Sequence, residues 1–157
     1  MIGNAVALLA PVPEEHLVSG LLKCHQVGKI AFGSRSFQLF RDLDAARGTQ
    51  PVDVYIYASA SVKFGLPKVR WQARYTGHVE ARAGSHPDAM TYRPESTLKY
   101  ESDNEGHWAV FWEVVDLREL SKGGAIPMNL FRSWRSRKYF VSTFIPEGPL
   151  LVECPQI

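Results

Sequence analysis

Cysteine is scarce in this chain: two in 157 residues, Cys24 and Cys154, far apart in the sequence. Two distant thiols build no disulfide framework, and without a C-x-x-C pair they make neither a redox motif nor half of a zinc site. The expectation is two reduced thiols in a cytoplasmic protein. The five histidines, His16, His25, His78, His86 and His107, show no H-x-H or H-E-x-x-H spacing, so no metal centre is expected. Glycine-rich nucleotide loops and the G-x-S-x-G turn are missing as well, and no cofactor is implied. Long hydrophobic runs are lacking too. The best window, IGNAVALLAPV, has no basic leader and is interrupted by Pro11 and Pro13, so no membrane partner is expected. Neither sign of charge dominates. With a net charge of +2, any attraction to nucleic acid must come from a local basic patch.

What is present fits one folded domain over residues 1–157. Apolar residues are 45% and charged residues 22% of the chain, enough for a core at this length. AVALLA (5–10), apolar and bounded by prolines, reads as a buried strand. In EEHLVSGLLKCHQ, Pro13, Glu14 and Glu15 open a helix and Lys23 and His25 end it, with Leu17, Leu21 and Leu22 as its apolar stripe. Residues 29–32 suit a strand, and 36–46 a short helix ended by Gly48. VDVYIYAS (52–59) alternates as a clear strand. KVRWQARYTGHVEAR (68–82) is a longer one bent at Gly77. It puts Val69, Trp71, Ala73 and Tyr75 on one face and Arg70, Gln72, Arg74 and Thr76 on the other.

Residues 83–106 are polar and rich in turn formers, the longest loop of the chain. HWAVFWEVVDL is a strand with Trp108, Trp112 and Val114 on one face and Phe111 and Val115 on the other. MNLFRSWRSR reads as a short helix after Pro127, and KYFVSTFI and PLLVE as two closing strands. Strands that do not alternate with long helices exclude a doubly wound parallel sheet. The expected class is α+β, a mixed β-barrel with flanking short helices.

Two aromatic features stand out. On a strand, Trp108 and Trp112 share a face about 13 Å apart at a rise of roughly 3.3 Å per residue, too far to sandwich one base. Each lines a separate wall, or one is core and the other exposed; the structural alternative, which is the favoured one, is that both are mainly packing residues. FRSWRSRKYF (131–140) interleaves Arg132, Arg135, Arg137 and Lys138 with Phe131, Trp134, Tyr139 and Phe140. Cations beside rings suit a phosphate backbone with stacking bases. Cations gathered at the negative end of a helix are the structural alternative. Lys63, Lys68, Arg70 and Arg74 form a second basic group.

Together, VDVYIYAS, KVRWQARYTGHVEA and HWAVFWEVVDLREL resemble the strands of the PUA-like superfamily, which includes the EVE, ASCH and YTH domains. The likeness spans roughly residues 50–145. It implies a PUA-like mixed β-barrel of about five to seven strands. It also implies a nucleic-acid partner, RNA or DNA, from which one base, modified or not, enters an aromatic pocket. In that frame Tyr57, Trp71 and Trp112 form walls, since stacking holds a base at about 1–3 kcal/mol. Ser59 and Gln72 read its edge, and Arg132, Arg135 and Lys138 hold phosphate. The ASCH branch carries a G-x-K-x-x-E-x-R loop. GKIAFGSR (28–35) keeps Gly28, Lys29 and Arg35 but lacks the glutamate. Binding is therefore favoured over catalysis. The alternatives are a hydrolase of modified nucleosides, with Lys29 or Lys63 as amine and Glu113 as proton carrier, and a protein-interaction module built on exposed aromatics.

Overall fold

A strand that is apolar at every position, not every second one, needs cover on both faces. VALLAPVP is such a strand. In the computed structural model, which describes residues 5–60, 65–82, 84–98 and 108–156, it is β1 (Val6–Pro13). Val6, Leu8, Ala10 and Val12 enter the main core, and Ala7 and Leu9 enter a second core on the opposite face. The chain continues through α1 (Glu14–Val27), β2 (Ile30–Ser34), α2 (Phe37–Arg47), β3 (Val52–Ser59), β4 (Lys68–Val69) and β5 (Trp71–Glu80). Two one-turn helices follow, α3 (Ala89–Tyr92) and α4 (Glu95–Leu98), then β6 (Val110–Glu119), β7 (Ile126–Pro127) and β8 (Leu150–Glu153). The fold is α+β. Six strands in the order β2-β6-β5-β3-β1-β8 form a mixed sheet that curls into a half-barrel, and β4 pairs with β7 beside it. Only β1 and β3 run parallel among these pairings.

Helix α1 carries Glu14 and Glu15 in its first turn and ends at Gly28, whose φ of 83° belongs to the left-handed region and whose N–H reaches the Cys24 carbonyl at 2.7 Å. Leu17 and Cys24 enter the main core, whereas Leu22 of the expected stripe is 63% exposed. Gly20 takes its place: Ile30, Pro94 and Leu117 come within 3.4–3.7 Å of where its Cβ would stand, so the helix lies close on its neighbours. Along β5, Trp71, Ala73 and Tyr75 share the main core as the alternation predicts. Val69 does not. It lies in β4, across the break at Arg70, and belongs to the second core. The register between β5 and β6 slips twice, between Gln72 and Arg74 and between Tyr75 and Gly77. At the first slip Asp116 takes φ 55°, and the extra residue turns Leu117 into the main core beside Val110, Trp112 and Val114.

Three further expectations are corrected. Trp108 precedes β6 and is not a strand residue. The stretch after Pro127 forms one 3-10 turn (Met128–Leu130), not a helix. Phe131 is drawn inside against Tyr55, with ring centres 5.3 Å apart, and Arg132 and Arg137 turn toward Glu153. Residues 138–145 are not a strand. β-branched and aromatic residues need a partner strand to favour that form. Here Phe140 stacks on Phe144 (4.4 Å, 8°) around a turn closed by Phe144 N–H on the Val141 carbonyl at 3.1 Å. Of the long polar loop, α3 and α4 are seen, and residues 83 and 99–107 lie outside the described residues.

Candidate functional site

The half-barrel stays open beside β1. Strand β8 pairs with β1 only from Val6 to Leu9, whereas β3 accompanies β1 on its other side as far as Pro13. Along the remaining edge lie Pro11 and Pro13, which have no N–H to offer a further strand. Across the gap runs β2, joined in the sheet to β6.

Two adjoining hollows fill this gap. One, of ≈ 220 Å³, is flanked by Pro13, His16, Phe32, Arg93 and Thr97. The other, of ≈ 280 Å³, is flanked by Ala10, Ser34, Arg35, Ser36 and Glu147. Pro11, Gly33, Trp108 and Trp112 border both. The half-buried Trp108 indole lies on Gly33. A Cβ at that glycine would stand 2.6–2.7 Å from three indole carbons, nearer than atoms can approach. Trp112, 2% exposed, is held from behind by Phe32 (4.9 Å) and by Phe40 (6.1 Å, 17°). One indole is thus fixed core and the other a partly open plate on a glycine seat.

The polar groups that line the smaller hollow are buried and held in place. His16 Nδ1 meets Ser96 Oγ at 2.7 Å, Arg93 Nη1 donates to the Ala31 carbonyl at 2.9 Å, and Thr97 Oγ1 donates to the Pro94 carbonyl at 2.6 Å. Rings with fixed polar groups around them suit a flat ligand that is part apolar and part hydrogen-bonding.

Two further polar clusters lie elsewhere. On the face of β6 away from the main core, Glu113 receives Lys29 Nζ at 3.2 Å on one oxygen and His86 Nε2 at 3.2 Å on the other. The Asp88 N–H donates to His86 Nδ1 at 2.8 Å, so that nitrogen carries no proton and Nε2 is the donor to Glu113. Lys29 also lies 4.2 Å over the Tyr92 ring. Burial alone would raise the Glu113 pKa, but the His86 hydrogen bond and the Lys29 ammonium outweigh it and hold the carboxyl below its usual range. At the far end of β5, Asp44 accepts from Tyr75 (3.0 Å), Arg47 (2.8 Å) and His78 Nδ1 (2.9 Å), fastening α2 to the bent strand. Burial, and then the Asp44 charge, push the Tyr75 hydroxyl pKa upward.

The residues singled out in the sequence do not meet in one hollow. Trp71, 2% exposed, is sealed in the main core, and of the three proposed wall residues Trp112 alone reaches the gap. Tyr57, Ser59 and Gln72 lie on the other face of the sheet. Tyr57 borders a separate hollow of ≈ 190 Å³ with Leu66, Lys68, Arg70 and Ile145. Gln72 accepts from Arg118 at 2.7 Å, and Ser59 ends β3 opposite Pro13. Arg132 and Arg137 both hold the buried Glu153, at 3.2 Å and 2.9 Å, Arg135 pairs with Asp42, and Lys138 is exposed. Lys63 lies outside the described residues. Among the described residues no group of three metal-binding side chains occurs, and no helix is long and apolar enough to cross a membrane.

No protein-family model matches the chain, and no curated protein is similar to it in sequence. The geometry has to carry the functional reading. Sequence reasoning missed Phe32, Gly33, His16, Arg93 and Thr97 as neighbours of the two tryptophans. The available signal was Pro11 and Pro13 inside an otherwise ideal strand, which marks an edge where pairing stops.

Proposed function

We propose that this is a nucleic-acid-binding domain that seats a single base, modified or not, in the gap between β1 and β2. The observation that carries the reading is the Trp108 plate on Gly33, bordering two joined hollows together with the buried Trp112. A base removed from its stack needs a flat apolar surface and hydrogen-bonding groups at its edge. Trp108 supplies the first, and the buried His16, Arg93 and Thr97 that line the hollow supply the second. A PUA-like scaffold is the architecture this reading favours, and the curled mixed sheet supports it. Cytoplasmic action is favoured by the two cysteines, both free thiols in this structure.

The test is titration of nucleosides and short oligonucleotides while tryptophan fluorescence is followed, in the native chain and in Trp108→Leu. Quenching in the native chain, weakened in the variant, is expected. If no base quenches the native emission, the reading fails. Binding to a protein ligand, insensitive to salt, would instead favour an interaction module.

A second reading has one observation in its favour, the Lys29–Glu113 pair at 3.2 Å. A hydrolase of modified nucleosides would use this lysine as amine and this carboxylate as proton carrier. Both are occupied with each other, and Glu113 is buried, which makes binding the better supported role. Release of product from modified cytidines, lost in Lys29→Met, would reverse that preference.

A further inference from the structure

The gap beside β1 is one end of a longer track. Its ≈ 280 Å³ hollow shares Glu147, Gly148 and Pro149 with a shallow one of ≈ 490 Å³ along residues 144–150. That hollow shares Ile145 with the ≈ 190 Å³ hollow at Tyr57. Phe144, stacked on Phe140, stiffens the stretch between. The two ends are also neighbours through the sheet. Pro11, which borders the gap, is the ladder partner of Tyr57, and adjacent strands lie about 4.8 Å apart.

The ends differ in chemistry. Trp108 and Trp112 make the first end a place for a ring. The second has one ring, Tyr57, beside two cations, Lys68 and Arg70. Among the described residues no carboxylate pairs with either cation, unlike Arg132, Arg135 and Arg137, which are all in ion pairs. Uncommitted cations next to an aromatic ring suit a phosphodiester with a base attached.

The geometry points to a single-stranded polynucleotide as the ligand, with one base at Trp108, the strand running over residues 144–149, and a flanking phosphate held by Lys68 and Arg70 beside Tyr57. This rests on the base-binding reading above. A free nucleoside fills only the first end, and a duplex keeps its bases in the stack, away from Trp108. Glu147 borders the track with the sign that repels phosphate, so the backbone passes to its far side.

The test compares a nucleoside monophosphate, single strands of two to eight nucleotides and a blunt duplex of the same sequence, in the native chain and in K68Q/R70Q. Affinity should rise at least about tenfold with length, a gain comparable to one added stacked base. The double variant should remove most of that gain and leave the monophosphate unchanged. It should also reduce the slope of log K against log salt by about 0.7, the value for one single-strand phosphate contact. K68R/R70K should restore the gain, and Glu147→Gln should increase it. If the monophosphate binds and length adds nothing, or the duplex binds as tightly, the single-strand track is wrong and the Trp108 site stands. If neither monophosphate nor oligomer binds, both fall.

Discussion

Residues 131–140 and the open edge of β1 teach opposite lessons. The first is conspicuous in sequence, with four cations among four rings, and the structure spends most of it on holding the chain together: Phe131 is fully buried and two arginines clamp Glu153. The second is quiet, a short apolar run with two prolines, yet it leaves the gap in which Trp108 is displayed. Charge that finds a buried partner becomes architecture, and missing N–H groups leave an edge unpaired.

That contrast can be tested from both sides. Glu153→Ala sets Arg132 and Arg137 loose at once and should lower stability by about 2–3 kcal/mol, read from urea unfolding. An unchanged midpoint would mean that the clamp contributes nothing to stability. Gly33→Ala places a methyl group where the indole of Trp108 lies and should cost about 2 kcal/mol by overpacking, with a red shift of tryptophan emission as the plate is displaced. Trp108→Ala should weaken base binding by about 1–3 kcal/mol and leave the Glu153 clamp intact. Arg135→Gln, on an arginine 72% exposed, should change stability by less than about 0.5 kcal/mol.

The Glu113 cluster, apart from both regions, should show itself in acid. Its carboxyl is held below the ordinary value of 4.5, so its contribution is complete above about that pH and is lost as pH falls through the lower folded value. Glu113→Gln should flatten stability over that acidic range. A curve of the same shape in the variant would mean that the cluster contributes nothing.

Much of the sheet was legible. β3 falls on VDVYIYAS, α1 on the stretch that Glu14 and Glu15 open, and α2 ends at Gly48, because each carries its own period or stop signal. The site was less so. Tyr57 and Trp71 are both aromatic strand residues, but facing depends on parity within each strand, and odd positions of β5 share the core with even positions of β3. Nothing local tells Trp108 that it precedes the strand. Its place is set by Gly33, seventy-five residues earlier. Residues 138–145 have strand composition but find no strand to pair with, and neighbours of that kind are a property of the whole chain.

The pair Pro11 and Pro13 has one more consequence. An interrupted wall of β-structure ordinarily offers its bare backbone to any extended chain that drifts past, the first step toward runaway assembly. Rings locked without hydrogen at nitrogen make this rim a poor template for a further strand.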